Sequence, residues 1–276
     1  MLLHRVLTAI VLLAILIPAL MSASVWPLTL LVIVFMLAAA WEWGRMCGLS
    51  VRVSLAMSAA CAVLYVIYWQ LGWLHATTGW VWSVVGPLWV LVCAALLKRG
   101  VQGWAGIPWA LRLVLGLLLV SLAGLAVTQA RAIGIEFLLS AMALVWTADI
   151  CAYFSGRAFG KRKLAVAISP GKTWEGVQGA MVCVVIMALV WIWVHPQGQS
   201  LYAQLFARSA WLLPVALVFL TAMSVAGDLV ESLVKRSVGI KDSSNLLPGH
   251  GGVLDRIDAL LPVMPLAMMM AAWSKA

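Results

Sequence analysis

Long apolar runs separated by short polar stretches organise this chain from end to end. Nine recur, at roughly residues 6–22, 25–44, 54–73, 79–97, 109–127, 133–154, 176–194, 209–234 and 253–273. A helix needs about 20 apolar residues to cross the hydrocarbon core of a bilayer, and each run comes close to that length. Backbone N–H and C=O groups in lipid must be satisfied within their own segment, so the runs predict helices. The expected fold is all-α, a polytopic transmembrane helical bundle of about nine helices. No repeat of roughly 20–50 residues interrupts the pattern. The chain 1–276 therefore reads as a single integral membrane domain.

Composition agrees with the pattern and narrows it. The chain is 65% hydrophobic and 10% charged, against roughly 25% charged in soluble domains, which excludes a large soluble domain. Sixteen tryptophans suit interfacial belts and inter-helix packing. Arg5 followed by an apolar run and by Ser22–Ser24 resembles a signal peptide, but the first helix of a polytopic chain commonly stays uncleaved. Cys47, Cys61, Cys93, Cys151 and Cys183 lack metal-like spacing and read as small apolar packing residues. The net charge of +9 points to topology and anionic headgroups, not to nucleic acid.

Basic residues set the orientation. The loops after the second, fourth, sixth and eighth runs hold Arg45, Arg52, Lys98, Arg99, Arg157, Lys161, Arg162, Lys163, Lys172, Lys235, Arg236 and Lys241, while the other side holds Arg5, Arg131, Arg208 and Lys275. Positive residues stay inside, so the even-numbered loops are expected to be cytoplasmic, with both termini outside; Arg5 is the residue that argues against this arrangement.

The nine acidic residues carry the chemistry, because an ionisable group inside a span is costly and a functional candidate. At about 100° per residue, Ser224, Asp228, Glu231, Ser232 and Lys235 share an arc of about 100° on the eighth segment. An ion pair between Glu231 and Lys235, four apart, accounts for two of these and leaves Asp228 unexplained. The ninth segment follows P-G-H-G-G and begins V-L-D-R-I-D. Asp255 and Asp258, three apart, share a helix face. Gly249, Gly251 and Gly252 permit close approach to an anion, and free N–H groups at a helix start favour phosphate. Two carboxylates beside a phosphate site call for a hard cation, read as Mg²⁺. The simpler account is a glycine turn with an acidic helix start.

The loop after the sixth run adds a third group. Asp149, Tyr153 and Gly156 face one way at helical spacing, followed by Arg157, Lys161, Arg162, Lys163 and Lys172. This basic cluster suits a triphosphate or a lipid phosphate, unless it serves topology alone. Gly171-Lys172-Thr173 is not a P-loop, because Val166 stands where the first glycine belongs and no strand is expected before it.

The stretch Ser232 to Asp258, S-L-V-K-R-S-V-G-I-K-D-S-S-N-L-L-P-G-H-G-G-V-L-D-R-I-D, resembles the signature of the phosphatidate cytidylyltransferases, the CDP-diacylglycerol synthases. Asp149, Ala152-Tyr153, Gly156-Arg157, Gly160-Lys161, Ser169-Pro170 and Lys172-Thr173-Trp174-Glu175-Gly176 are similar to the family's middle loop. Gly171 departs from it, standing where a basic residue is common, which weakens phosphate binding at that position. The resemblance is sharpest over 149–262; upstream it rests on hydropathy and on Trp41-Glu42-Trp43.

The resemblance implies a dimeric enzyme of the bacterial cytoplasmic membrane, active at its cytoplasmic face. With a divalent cation it would transfer CMP from CTP to phosphatidic acid, giving CDP-diacylglycerol and pyrophosphate. By motif, Asp228 and Asp258 would be the first-choice metal ligands and Asp255 a further ligand or outer partner. The phosphate of phosphatidic acid is already a nucleophile, so charge is the obstacle and electrostatic stabilisation the remedy. Lys172, Lys235, Arg236 and Lys241 are expected on phosphate oxygens, and Gly251 and Gly252 as backbone donors. Ser232 and Arg256 fall within the same substrate-binding stretch. His250 either donates to the leaving pyrophosphate or serves the loop's structure. The competing readings are a CTP-dependent kinase of a lipid alcohol and an ion-coupled transporter.

Overall fold

The computed structural model describes residues 2–275. In chain order the elements are α1 (Leu2–Met21), α2 (Trp26–Met46), α3 (Val51–Gln70), α4 (Gly79–Ala105), α5 (Trp109–Ile133), α6 (Ile135–Phe159), β1 (Lys163–Ala165), β2 (Ser169–Thr173), α7 (Trp174–Val194), α8 (Leu201–Arg208), α9 (Leu212–Ser237), α10 (Leu254–Ile257) and α11 (Leu260–Lys275). The fold is the expected all-α polytopic bundle. Among the described residues, eight helices are long and apolar enough to span a membrane, with α10 and α11 together forming one span; α1 adds a shorter apolar run, Val6–Met21. Several helices run past the apolar stretch that announced them, through Lys98 and Arg99 in α4, Arg131 in α5 and Arg157 in α6. Helical hydrogen bonding does not stop where the hydrocarbon does, so hydropathy marks only the lipid-embedded part of each helix.

α9 and α11 are the central helices. Of their most apolar stretches 61% and 67% is buried, against 22% for α7 at the rim. α11 packs on α4, α5 and α9, α2 packs on α3 and α5, and α6 pairs along α7. The α6–α7 pairing depends on small residues. A Cβ on Gly176 would stand 2.8 Å from the Ala152 carbonyl oxygen, and one on Gly179 would stand 2.1 Å from Ser155 Oγ. Such residues let membrane helices approach backbone to backbone.

Two features were not anticipated. The connection from α6 to α7 is an antiparallel hairpin pairing Lys163 with Thr173 and Ala165 with Ser169. Glu175 braces it, accepting from the backbone of Lys161 (3.0 Å) and Arg162 (3.1 Å) and from Arg162 Nε (3.0 Å). The last span is broken between α10 and α11. Pro262 has no N–H to give the Asp258 carbonyl one turn earlier, and Asp258 Oδ1 takes the Ala259 N–H at 2.8 Å. α9 presses on this break through Gly227, where a Cβ would lie 2.6 Å from the Asp258 carbonyl oxygen.

The chain ends correct one expectation. Thr8 Oγ1 donates to the Pro248 carbonyl at 2.8 Å, and Arg131 at the other end of the bundle donates to Ser22 O at 2.7 Å. α1 therefore starts at the end that carries the 238–253 loop. An odd number of spans places the two termini on opposite sides, so they do not both lie outside; the N-terminus shares the basic side and Arg5 is no longer an exception.

Candidate active site

The polar face of α9 meets the hairpin and α6 at the basic end of the bundle. There a cleft of about 540 Å³ is lined by Asp149, Tyr153 and Arg157 of α6, Ser169 and Lys172 of β2, and Asp228 of α9. Ala152, Val177 and Val225 supply an apolar wall. Lys172 Nζ lies 2.6 Å from Asp228 Oδ2, and Ser232 Oγ donates to Asp228 Oδ1 at 3.2 Å. Arg157 donates to the Tyr153 hydroxyl at 3.2 Å, which steadies the guanidinium over the cleft. Asp258, from the broken helix, lies within electrostatic reach of Asp228, Asp149 and Lys172. Three carboxylates thus face one ammonium and one guanidinium.

That imbalance is the test of a cation here. Hard carboxylate oxygens in excess of positive charge fit a divalent ion such as Mg²⁺. Among the described residues, no three His, Cys, Asp or Glu side chains already stand in ligand arrangement. Asp228 and Asp149 line the cleft, and Asp258 stands outside its lining but within electrostatic reach of both.

Behind the cleft lies a second cluster that is closed. Lys235 is bound by Glu231 and, at 2.5 Å, by Asp255 Oδ1. Asp255 Oδ2 accepts from Ser243 N (2.9 Å), Ser243 Oγ (3.0 Å) and Gly252 N (2.8 Å). These partners change several expectations. Both Asp255 oxygens are engaged by Lys235, Ser243 and Gly252, an arrangement that fits the outer-partner alternative of its two expected roles. Lys235 is held by two carboxylates and is largely buried. The Gly252 N–H, expected on phosphate, is taken by Asp255. Gly251 adopts φ +79° and its carbonyl accepts from Leu247 N at 2.9 Å, so both glycines shape the turn.

The remaining candidates lie around the rim of the 238–253 loop and the hairpin. Arg236 donates to Ile168 O (3.4 Å) and Ile240 O (3.1 Å), tying the hairpin to the end of α9. Arg256 Nε donates to the His250 carbonyl at 3.0 Å. His250 donates its own N–H to Leu247 O at 2.8 Å, and its buried Nδ1 has no hydrogen-bond partner. Lys161 and Lys241 are exposed. None of these five lines the cleft.

Glu42 of α2 was underweighted by the sequence. It is fully buried and accepts from Ser244 Oγ (2.5 Å), Val253 N (2.9 Å), Ser243 Oγ (3.1 Å) and Leu254 N (2.7 Å). The available signal was an acidic residue inside an apolar run, flanked by two tryptophans.

The chain matches the model of the cytidylyltransferase family over residues 3–273. It belongs to that family. Among curated cytidylyltransferases, it is 41% identical to the phosphatidate cytidylyltransferase of Pseudomonas aeruginosa over 283 residues, covering 99% of both chains. It is 52% identical over 132 residues to the phosphatidate cytidylyltransferase of Haemophilus influenzae, covering 48% of this chain and 44% of that one. The enzyme of the same name from Bacillus subtilis is 42% identical over 139 residues, 50% of this chain and 48% of its own.

Proposed function

We infer that the protein is a phosphatidate cytidylyltransferase, transferring CMP from CTP to phosphatidic acid. The observation that carries this is kinship along 99% of the chain with a protein of that name. The cleft geometry supports it. A phosphate oxygen of phosphatidic acid attacks the α-phosphorus of CTP, and the bond from that phosphorus to the bridging oxygen breaks. Pyrophosphate leaves with the electron pair, and CDP-diacylglycerol remains. The nucleophile is already an anion, so no strong base is required, and repulsion between anions dominates the barrier.

Lys172 and Arg157, which line the cleft, would neutralise phosphate oxygens, with Tyr153 orienting Arg157. Asp228 and Asp258 would hold a divalent cation, Mg²⁺ or one like it, which when bound supplies further electrostatic stabilisation of the phosphates. Ala152, Val177 and Val225 offer an apolar side to a diacylated substrate. The basic loops support a cytoplasmic site, in the cytoplasmic membrane of a bacterium. Family resemblance extends the reading to a homodimer.

The deciding experiment supplies detergent-solubilised protein with phosphatidic acid and CTP labelled at either the α- or the γ-phosphorus. The expected result is α-label in the lipid, release of pyrophosphate, dependence on a divalent ion, and no product with diacylglycerol or a polyprenol. Transfer of γ-label alone, with CDP formed, would identify a lipid kinase and overturn the assignment.

A further inference from the structure

Glu42 lies outside the cleft, and the transfer step makes no use of it. Its hydrogen bonds nevertheless reach Asp258 through a single residue. Glu42 Oε2 accepts the Leu254 N–H at 2.7 Å, and the Leu254 carbonyl accepts the Asp258 N–H at 2.9 Å. The N–H groups of Val253 and Leu254 lie at the start of α10, where no helical carbonyl precedes them, and Glu42 satisfies both. Through Ser243, Glu42 also shares a hydroxyl with Asp255, the partner of Lys235.

The surrounding packing fixes this arrangement from two sides. A Cβ on Gly252 would stand 2.0 Å from Ser243 Oγ and 2.4 Å from Glu42 Oε1, so loop and carboxylate meet without a side chain between them. On α2, the neighbouring Trp43 donates Nε1 to the Arg112 carbonyl at 2.9 Å. A Cβ on Gly116 would overlap that same atom at 1.8 Å. Trp43 thus keys α2 into α5 and fixes which way Glu42 points.

We propose that Glu42 is a positioning residue for cytidylyl transfer: it clamps the 243–254 loop so that the broken last span presents Asp258 to Asp228. The proposal rests on the reading of the cleft as the transfer site. It predicts why a carboxylate is needed and not merely a residue of that shape. Each Glu42 oxygen receives one serine hydroxyl and one backbone N–H. A serine can turn its hydroxyl round; a backbone N–H cannot. A glutamine at this position would set its NH₂ against one backbone N–H whichever way its amide is turned.

The test is Glu42→Gln in the full chain, measured for kcat, for the Mg²⁺ concentration giving half-maximal rate, and for thermal unfolding in detergent. Partners that orient metal ligands typically change affinity or activity by about 10–100-fold when mutated. The expected result is a kcat loss of that order, with half-activation moved to higher Mg²⁺. The control is Glu136→Gln at the opposite end of the bundle, where a carboxylate likewise holds a loop, accepting from Trp191 Nε1 (3.1 Å) and Gln199 N (2.7 Å). It should lower the unfolding temperature and move neither kinetic quantity. If Glu42→Gln behaves like that control, the proposal is overturned. If Glu42→Gln does not fold, Ser244→Ala decides, because Ser244 Oγ donates to Glu42 without touching Asp255. A shift of half-activation to higher Mg²⁺ supports the proposal, and an unmoved value overturns it. The wild-type α-label experiment judges the transfer reading separately, so either failure can be told from the other.

Discussion

Lys172 and Lys235 both pair with aspartates, yet their surroundings give them different roles. The Lys172–Asp228 pair is 25% and 31% exposed, whereas the side chains around Lys235 are 10% exposed or less. On the proposed reading Lys172 would exchange its partner for an entering phosphate, whereas the same exchange at Lys235 would strand two carboxylates. Lys235→Met should therefore fail on stability, since breaking a buried ionic cluster typically costs about 3–5 kcal/mol, read as a lowered unfolding temperature in detergent. Asp228→Asn and Asp258→Asn should insert and unfold close to wild type but lose roughly 10²-fold or more in kcat, the scale of a removed electrostatic stabiliser. Near-normal turnover in either would remove that residue from the site. The sequence could mark both lysines as lying near acids. It could not tell them apart, because the difference is burial, set by the 243–254 loop folding over Lys235 and leaving Lys172 open. Glu42 was hidden for the same reason, since its four donors lie 201–212 positions away.

At the scale of elements, hydropathy announced the spans because a run of apolar residues is what a bilayer selects. It was silent on the hairpin, whose strands of three and five residues are too short and too polar to show a period. The hairpin nevertheless delivers Lys172 to Asp228, so a central part of the site rests on an element without a sequence signal. The break at Asp258 was legible in principle, through Pro262 four residues on, but a continuous apolar run masked it. The glycines of the α6–α7 contact read as motif letters and turn out to be packing requirements. Gly176→Val should separate the two helices, because the Ala152 carbonyl it meets is backbone and cannot swing away. The expected outcome is loss of turnover together with a lower unfolding temperature. Gly134→Ala should change neither, since a Cβ there meets nothing within 4 Å. Equal behaviour of the two variants would show that the close approach of α6 and α7 is unimportant.

The whole molecule has a polarity that the basic residues fixed in part. The charge asymmetry sorted the loops correctly relative to one another, and the structure gathers the hairpin and the 238–253 loop at one end with Asp228 between them. Nine spans with even-numbered loops on the basic side already require the N-terminus to share that side, so the expectation of two outside termini was a miscount of parity, and the bond from Thr8 to Pro248 agrees with the corrected count. An impermeant thiol reagent applied to sealed cells, with Cys47, Cys61, Cys93, Cys151 and Cys183 replaced, tests the arrangement. Cysteines are best placed at Ala167 on the hairpin turn, Asn245 on the long loop and Gln197 between α7 and α8, all three exposed. Ser243 is a poor probe position, because it is buried and hydrogen-bonded to both Glu42 and Asp255. Positions 167 and 245 should react only after the membrane is opened, and position 197 should react from outside. An N-terminal tag should behave like the first two. CTP is made and kept in the cytoplasm, so a hairpin labelled from outside would separate the cleft from its nucleotide. Labelling of 167 and 245 on opposite sides would go further and dismantle the site, because Lys172, Asp228 and the Glu42-held loop could not then share one end of the bundle.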